Sequence, residues 1–184
     1  MYYDKDIKGK FVTLRSITED DAEFSYELRG REGIKETVGQ LAESVEAQRA
    51  YIKKQIDTPG DYYFVIVNRF EEKVGLIGVY DIHDGIGEIG RFVSVGDPTE
   101  TFEAELLLDD FIRQVLKLKR ICYVIYADNK KHISDKKKIG ISSKKDIMRG
   151  GKDALYYEEE VDYINYEDNK IRKMINKLAK KIKD

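Results

Sequence analysis

The chain predicts one α+β domain: a central mixed, mostly antiparallel sheet flanked by helices, with an extra helix at its C-terminal end. Three observations lead there. Strand-length runs that are apolar or alternating, at 11–15, 62–67, 74–81, 87–93 and 121–127, are separated by segments whose apolar residues recur at helical spacing. A length of 184 residues with 41% hydrophobic content suits a single core. Neither an internal repeat nor a low-complexity linker interrupts the pattern. Residues 1–166 therefore read as the domain. Residues 167–184 read as an amphipathic basic helix packed on it or at a dimer interface.

The first run, FVTLR at 11–15, alternates apolar and polar residues as a half-buried strand does. Thr18 offers an N-cap to a helix with an acidic first turn (Glu19, Asp20, Asp21), and Gly30 ends it. A second helix starts at Ser44, with Val45, Tyr51, Ile52 and Ile56 as its apolar positions. The turn TPGD at 58–61 leads into the strand 62–67. A hairpin connection at 69–73 joins it to the strand 74–81, where Gly75 and Gly78 permit close backbone approach. His83, Asp84 and Gly85 turn the chain into the strand 87–93. A long helix then runs from about Asp97 to Leu118, with Phe102, Leu106, Phe111, Val115 and Leu118 on its apolar side. After it come a buried strand at 121–127, a short basic helix at 130–138 and a strand at 144–149. A turn at Gly150 and Gly151 leads to a last strand at 154–164. Along the tail, Ile171, Met174, Ile175, Leu178 and Ile182 repeat at helical spacing.

Charged residues make up 37% of the chain, but the signs nearly cancel to −2, so nucleic acid is not an expected partner. The one cysteine, Cys122, lies in an apolar run; it excludes an internal disulfide and reads as a buried, inert thiol. The histidines, His83 and His132, stand apart from any ligand cluster, so no metal site is expected. A polar start and the lack of a membrane-length apolar run give the expectation of a cytoplasmic chain without integral membrane association. The tail carries seven basic and three acidic residues. Packing on its own domain is the default, with a homodimer interface or an anionic membrane surface as the alternatives.

Two charged segments frame the functional question. In the loop VGDPTE at 95–100, Asp97 sits at an N-cap position, Pro98 at the first helical position and Glu100 three residues after the cap. A strand-loop-helix of this kind is also where a phosphate binds, on backbone amides at the positive helix end. Carboxylates that satisfy those amides compete with a phosphate and repel it, and the sequence leaves both readings open. Further on, residues 128–145 carry seven lysines against two aspartates, either a solvated face or an anion-binding one.

From residue 11 to about 164 the chain resembles the GNAT superfamily of acetyl-CoA-dependent N-acetyltransferases. Leu14 and Arg15 followed by Thr18, Glu19, Asp20, Asp21 and Ala22 are similar to the opening of its ribosomal-protein N-terminal acetyltransferase branch. Ala127, Asp128 and Asn129, with Gly140 eleven residues after the asparagine, resemble its asparagine, cofactor-contacting helix and closing glycine. Gly90, Arg91 and Phe92, with Glu103, Leu106, Leu107 and Phe111 following, are similar to a subgroup of bacterial surface-polysaccharide and amino-sugar acetyltransferases.

The resemblance implies transfer of an acetyl group from acetyl-CoA to a small primary amine, such as a nucleotide-linked amino sugar, by direct attack in a ternary complex. It places the thioester oxygen at backbone amides of a bulge by Phe92 and Val93. The pyrophosphate falls on the loop of Val95, Gly96, Thr99 and Thr101, and the nucleotide end near Asn129, Lys130 and Lys131. Glu88 becomes the candidate general base, on the face that alternation shares with Gly90 and Phe92; otherwise it is an exposed strand carboxylate. Tyr80 and Asp81 would line the amine site or pack across strands. The chain departs from the family's pattern twice. Its pyrophosphate loop keeps only Gly96 beside several carboxylates, and Lys136 stands where many members have a thiolate-protonating tyrosine. The alternative from another class is a non-catalytic GNAT-fold interaction protein with a degenerate CoA site.

Overall fold

A computed structural model describes residues 1–138 and 141–181. The glycine expected to close the cofactor helix, Gly140, and the tail position Ile182 lie outside the described residues. One sheet runs through the molecule, with strands in the spatial order β1 (Ile7–Lys8), β2 (Val12–Ser16), β3 (Tyr62–Asn68), β4 (Lys73–His83), β5 (Ile86–Ser94), β6 (Arg120–Tyr126), β8 (Lys152–Glu160) and β7 (Lys145–Arg149). All described neighbours are antiparallel except β5 and β6. A parallel pair needs a crossover, and helix α3 (Pro98–Phe111) supplies it.

The central strands are apolar on both faces because both faces are covered. Helices α1 (Ala22–Gly30) and α2 (Val45–Asp57) bury one side, where Leu28 and Ile52 meet Tyr63, Val65, Leu76 and Val93. On the opposite face α3 packs Ala104, Leu108 and Phe111 against Leu14, Phe64, Ile66, Ile77 and Val79. Phe111 is the centre of that layer, with Tyr3, Tyr62 and Phe64 edge-on at 4.9, 5.2 and 5.3 Å. Helix α4 (Lys130–Lys138) lays Ile133 on Ile125 and Tyr157. Helix α5 (Lys170–Ala179) docks on α3, where Arg172 grips Asp110 with contacts of 2.7 and 2.9 Å and Ile175 is buried. Of its apolar stripe Ile175 is buried, whereas Met174 is 40% exposed.

Three boundaries differ from the sequence reading. The two-residue β1 is too short to show a period. The long helix divides: α3 ends at Phe111, a widened turn spans Ile112–Leu116, and Lys117 stops it with φ 53°. The last strand stops at Glu160, since Asp162 turns the chain by accepting the amides of Ile164 and Asn165.

Two buried carboxylates tie the layers. Glu103 on α3, 4% exposed, accepts the amides of Lys10, Phe11 and Val12 at 2.8, 2.6 and 2.8 Å. Asp21, 1% exposed, holds Arg15 through two 2.7 Å contacts and Lys73 through another. Burial alone would raise its pKa; the bonds from Arg15, Lys73 and the Thr18 amide overcome that and hold it well below the ordinary carboxylate range.

Candidate active site

The site forms where the sheet opens. Strands β5 and β6 pair only at Ile86–Arg120, Gly87–Ile121 and Glu88–Cys122, and then part. Just past that point β5 bulges. Its register with β4 passes from Gly78 opposite Gly90 to Leu76 opposite Val93, so Arg91 and Phe92 share Ile77. Arg91 takes the left-handed conformation, φ 54°, which costs a non-glycine residue about 1–2 kcal/mol.

The inserted residue resets the alternation of side chains. Phe92 packs with Ile89 in the α3-side cluster, whereas Val93 belongs to the α1/α2 side. The expectation that Phe92 shares a face with Glu88 and Gly90 is therefore corrected: Arg91 turns to that side instead. Its guanidinium makes a bidentate pair with Asp61, one contact at 2.8 Å, and lies 4.1 Å from the Tyr80 ring centre and 5.3 Å from that of Tyr63. This anchoring offsets the strained backbone.

Tyr80 passes from Arg91 to Glu88. Its hydroxyl donates to Glu88 at 2.6 Å and covers Gly90, where an added Cβ would lie 2.5 Å from the hydroxyl oxygen. Burial, then the Glu88 charge, pushes the Tyr80 hydroxyl far above its ordinary pKa and keeps it protonated. Glu88 is 8% exposed and so not the exposed strand carboxylate that was the other reading. Arg149, at the end of β7, contacts both its oxygens at 2.7 and 2.8 Å. Asp81 is not part of this group: a second irregularity after Tyr80 gives it φ 52° and leaves its side chain 73% exposed.

On the other face of the opening stands Lys136 of α4. Its side chain is 23% exposed, with Nζ 4.3 Å from the Tyr123 ring centre and 4.0 Å from Glu159, so it is not a freely solvated lysine. Tyr123 donates to Glu159, and burial followed by that carboxylate raises the phenol's pKa.

The loop after β5 carries the capping box in full. Asp97 Oδ1 accepts the amides of Thr99 and Glu100 at 2.6 and 3.0 Å, and Glu100 accepts that of Asp97 at 3.0 Å. Ser94 accepts the Gly96 amide and contacts the Thr101 hydroxyl; the amides of Val95 and Thr101 go to the carbonyls of Val74 and Asp97. Pro98 has none. Every amide from Val95 to Thr101 is thus engaged within the protein, so a pyrophosphate would have to displace the Asp97 and Glu100 carboxylates to use the amides they cap. At α4 the side-chain oxygen of Asn129 accepts the His132 amide at 3.2 Å, and Lys130 is exposed; the Lys131 side chain lies outside the described residues.

Sequence reasoning quoted Arg91 only within a resemblance, and missed its pairing with Asp61 and that of Glu88 with Arg149. Asp61 lies 30 residues before Arg91 and Arg149 lies 61 after Glu88, and no local pattern announces either pair. Among the described residues no cluster of three metal-ligating side chains forms, and no helix is long and apolar enough to cross a membrane.

No curated protein matches the chain. Solved structures do. FdhC, described as a nucleotide-linked sugar GNAT and solved in its apo form, superposes with a TM-score of 0.74 at 20% identity, covering 95% of this chain and 98% of that one. A proposed ribosomal-protein-serine acetyltransferase from Vibrio cholerae gives 0.69 at 19% identity over 87% of this chain and 99% of its own. Spermidine N-acetyltransferase from Vibrio cholerae, in complex with CoA and spermine, gives 0.67 at 17% over 81% and 95%. At such identities the likeness shows the fold. The family itself is shown by sequence, because the family described as acetyltransferase (GNAT) domain matches residues 12–142, which take in strands β2 to β6 and helix α4 but not Arg149. The chain belongs to the GNAT acetyltransferase family.

Proposed function

We propose that this protein is an N-acetyltransferase acting on a small primary amine, with an amino sugar, free or nucleotide-linked, as the acceptor class. The observation that carries the reading is Glu88: a nearly buried carboxylate at the last backbone pair before β5 and β6 part, beside the Arg91 bulge. Members of the family take their acetyl group from acetyl-CoA, which as a substrate supplies an activated acyl carbonyl for an amine nitrogen to attack. The ammonium of the acceptor must first lose a proton, and Glu88 is the group placed to receive it. Tyr80 and Arg149 hold both its oxygens, so the proton reaches it as one of them moves aside. Lys136 lies beside the opening, with Nζ near Tyr123 and Glu159, where an ammonium would favour a departing anion. On the family resemblance, Asn129 and Lys130 would meet the nucleotide end of the cofactor.

A second reading, a non-catalytic GNAT-fold interaction protein, is favoured by the self-capped loop. Calorimetric titration with acetyl-CoA, followed by thiol release on an amine panel, separates the two. Binding and turnover are expected. No heat at millimolar acetyl-CoA would reject the enzyme in favour of the second reading.

A further inference from the structure

Arg149 reaches Glu88 from the far edge of the sheet. Strands β6 and β8 lie between β7 and β5 in the spatial order, so the end of β7 folds back over one face of the sheet. Among the described residues no helix makes more than marginal contact with β6, β7 or β8 on that face. Ile133 of α4 packs on the side of Ile125 and Tyr157; alternation therefore puts Val124, Tyr126 and Tyr156 on the other side, where they are partly exposed. Helices α1 and α2 pack instead on β4 and β3. The segment joining them comes close, since a Cβ at Gly39 would meet the Tyr126 hydroxyl at 3.2 Å.

The Glu88–Arg149 pair is asymmetric in a way that matters for a ligand. The Glu88 side chain is 10% exposed and doubly held, whereas Arg149 is 39% exposed. A guanidinium has five N–H donors. Here a single nitrogen, Nη1, makes both contacts with Glu88, and among the described residues Arg149 has no other partner. The remaining donors are bonded to none of the described residues, and the planar guanidinium that carries them suits phosphate or carboxylate. The nearby carboxylate Glu158 does not take them, being bonded to Arg120 and Tyr156.

We infer that the acceptor is an amine that also carries an anion, phosphate or carboxylate, and that Arg149 is the residue that selects it. The inference rests on the acceptor side of the proposed reaction. The acceptor's ammonium takes the place of Arg149 at Glu88, and its anion takes the guanidinium so released. Neither buried charge is left alone during the exchange. An amine without an anion would break the ion pair and gain no contact with the released, partly exposed guanidinium, whereas an anionic amine would gain a charge-assisted bond to it; that gain is the source of discrimination.

The test compares glucosamine, glucosamine 6-phosphate and muramic acid, which share one amine and differ in carrying no anion, a phosphate or a carboxylate. Two readouts are taken: kcat/KM by thiol release with acetyl-CoA, and acceptor affinity by calorimetry without it. An anionic acceptor should be preferred over glucosamine by about ten- to a hundredfold, the range of a charge-assisted bond to Arg. The comparison of the two anionic amines shows which anion is read. Arg149→Gln should collapse that ratio and Arg149→Lys should restore part of it. A ratio cancels any general loss of folded or active protein, which melting curves record separately. A ratio near one in the native protein, or one that Arg149→Gln leaves intact, overturns the inference while acetyl transfer stands. Arg149-dependent binding of an anionic amine with no turnover of any amine supports the inference and rejects acetyl transfer. Failure of both anionic amines to bind overturns it.

Discussion

The sharpest consequence of the self-capped loop is that removing its charge, while keeping its shape, should improve acetyl-CoA binding. The perturbation is the double variant Asp97→Asn with Glu100→Gln. Asparagine caps a helix about as well as aspartate, so the amides of Thr99 and Glu100 keep an acceptor at the positions seen here, 2.6 and 3.0 Å away. Only a few tenths of a kcal/mol of helix-dipole stabilisation should be lost. A pyrophosphate using the same amides would lie roughly 5 Å from each carboxylate. At that distance each pair of unit charges repels by about 0.8 kcal/mol in bulk water, and several-fold more at a protein surface. Neutralising both should tighten binding by at least about tenfold, or 1.4 kcal/mol. Calorimetry at low and high salt is the assay, because screening should shrink the gain as the Debye length falls. Asp97→Ala is the contrast: it discards the cap and should cost about 1 kcal/mol of stability. Unchanged or weaker acetyl-CoA binding by the neutral double variant at low salt, with an unaltered melting curve, would refute the reasoning.

Glu88→Gln should cut turnover while leaving acetyl-CoA affinity within about twofold; equal turnover would discard Glu88 as the base. Arg91→Ala strands Asp61, which is 7% exposed, and should destabilise the fold by about 3–5 kcal/mol in denaturant titrations; a loss under 1 kcal/mol would show that the pair does not anchor the bulge. The depressed carboxylate of Asp21 contributes stability above its unfolded pKa near 4, and that contribution is lost as pH falls below it. Unfolding free energies at pH 7 and pH 3 should therefore differ less in Asp21→Asn than in the native protein, and an equal difference would contradict the assignment.

What could be read from the chain was local or periodic. The strand at 62–67 declared itself because both its faces are buried, and the capping box because Asp97, Pro98 and Glu100 lie within one turn of one another. The order of strand, helix and strand around the opening followed from the same signals, though not the parallel pairing of the two strands. Phe92 was placed on the wrong face because a bulge adds one residue to a strand without a mark in composition, and everything after it changes side. Asp81 was misplaced by a similar irregularity one residue after Tyr80. Glu103 resembled a family position, but its work of holding three amides of residues 10–12 depends on contacts more than 90 residues apart in sequence. The partners of Glu88 and Arg91 were hidden for the same reason: ion pairs between distant segments have no period.

The brief pairing of β5 with β6 also has a mechanical side. Three residue pairs join two halves of a long sheet, so a rotation at that join would have the rest of β6 as its lever arm. From Cys122 to Tyr126 that arm is about 13 Å long. A 10° rotation at the join would carry Tyr126 through roughly 2 Å, with no backbone bond required to break. The clasp across the join is the side-chain contact of Arg149 with Glu88, so a molecule that undoes the clasp also frees the lever.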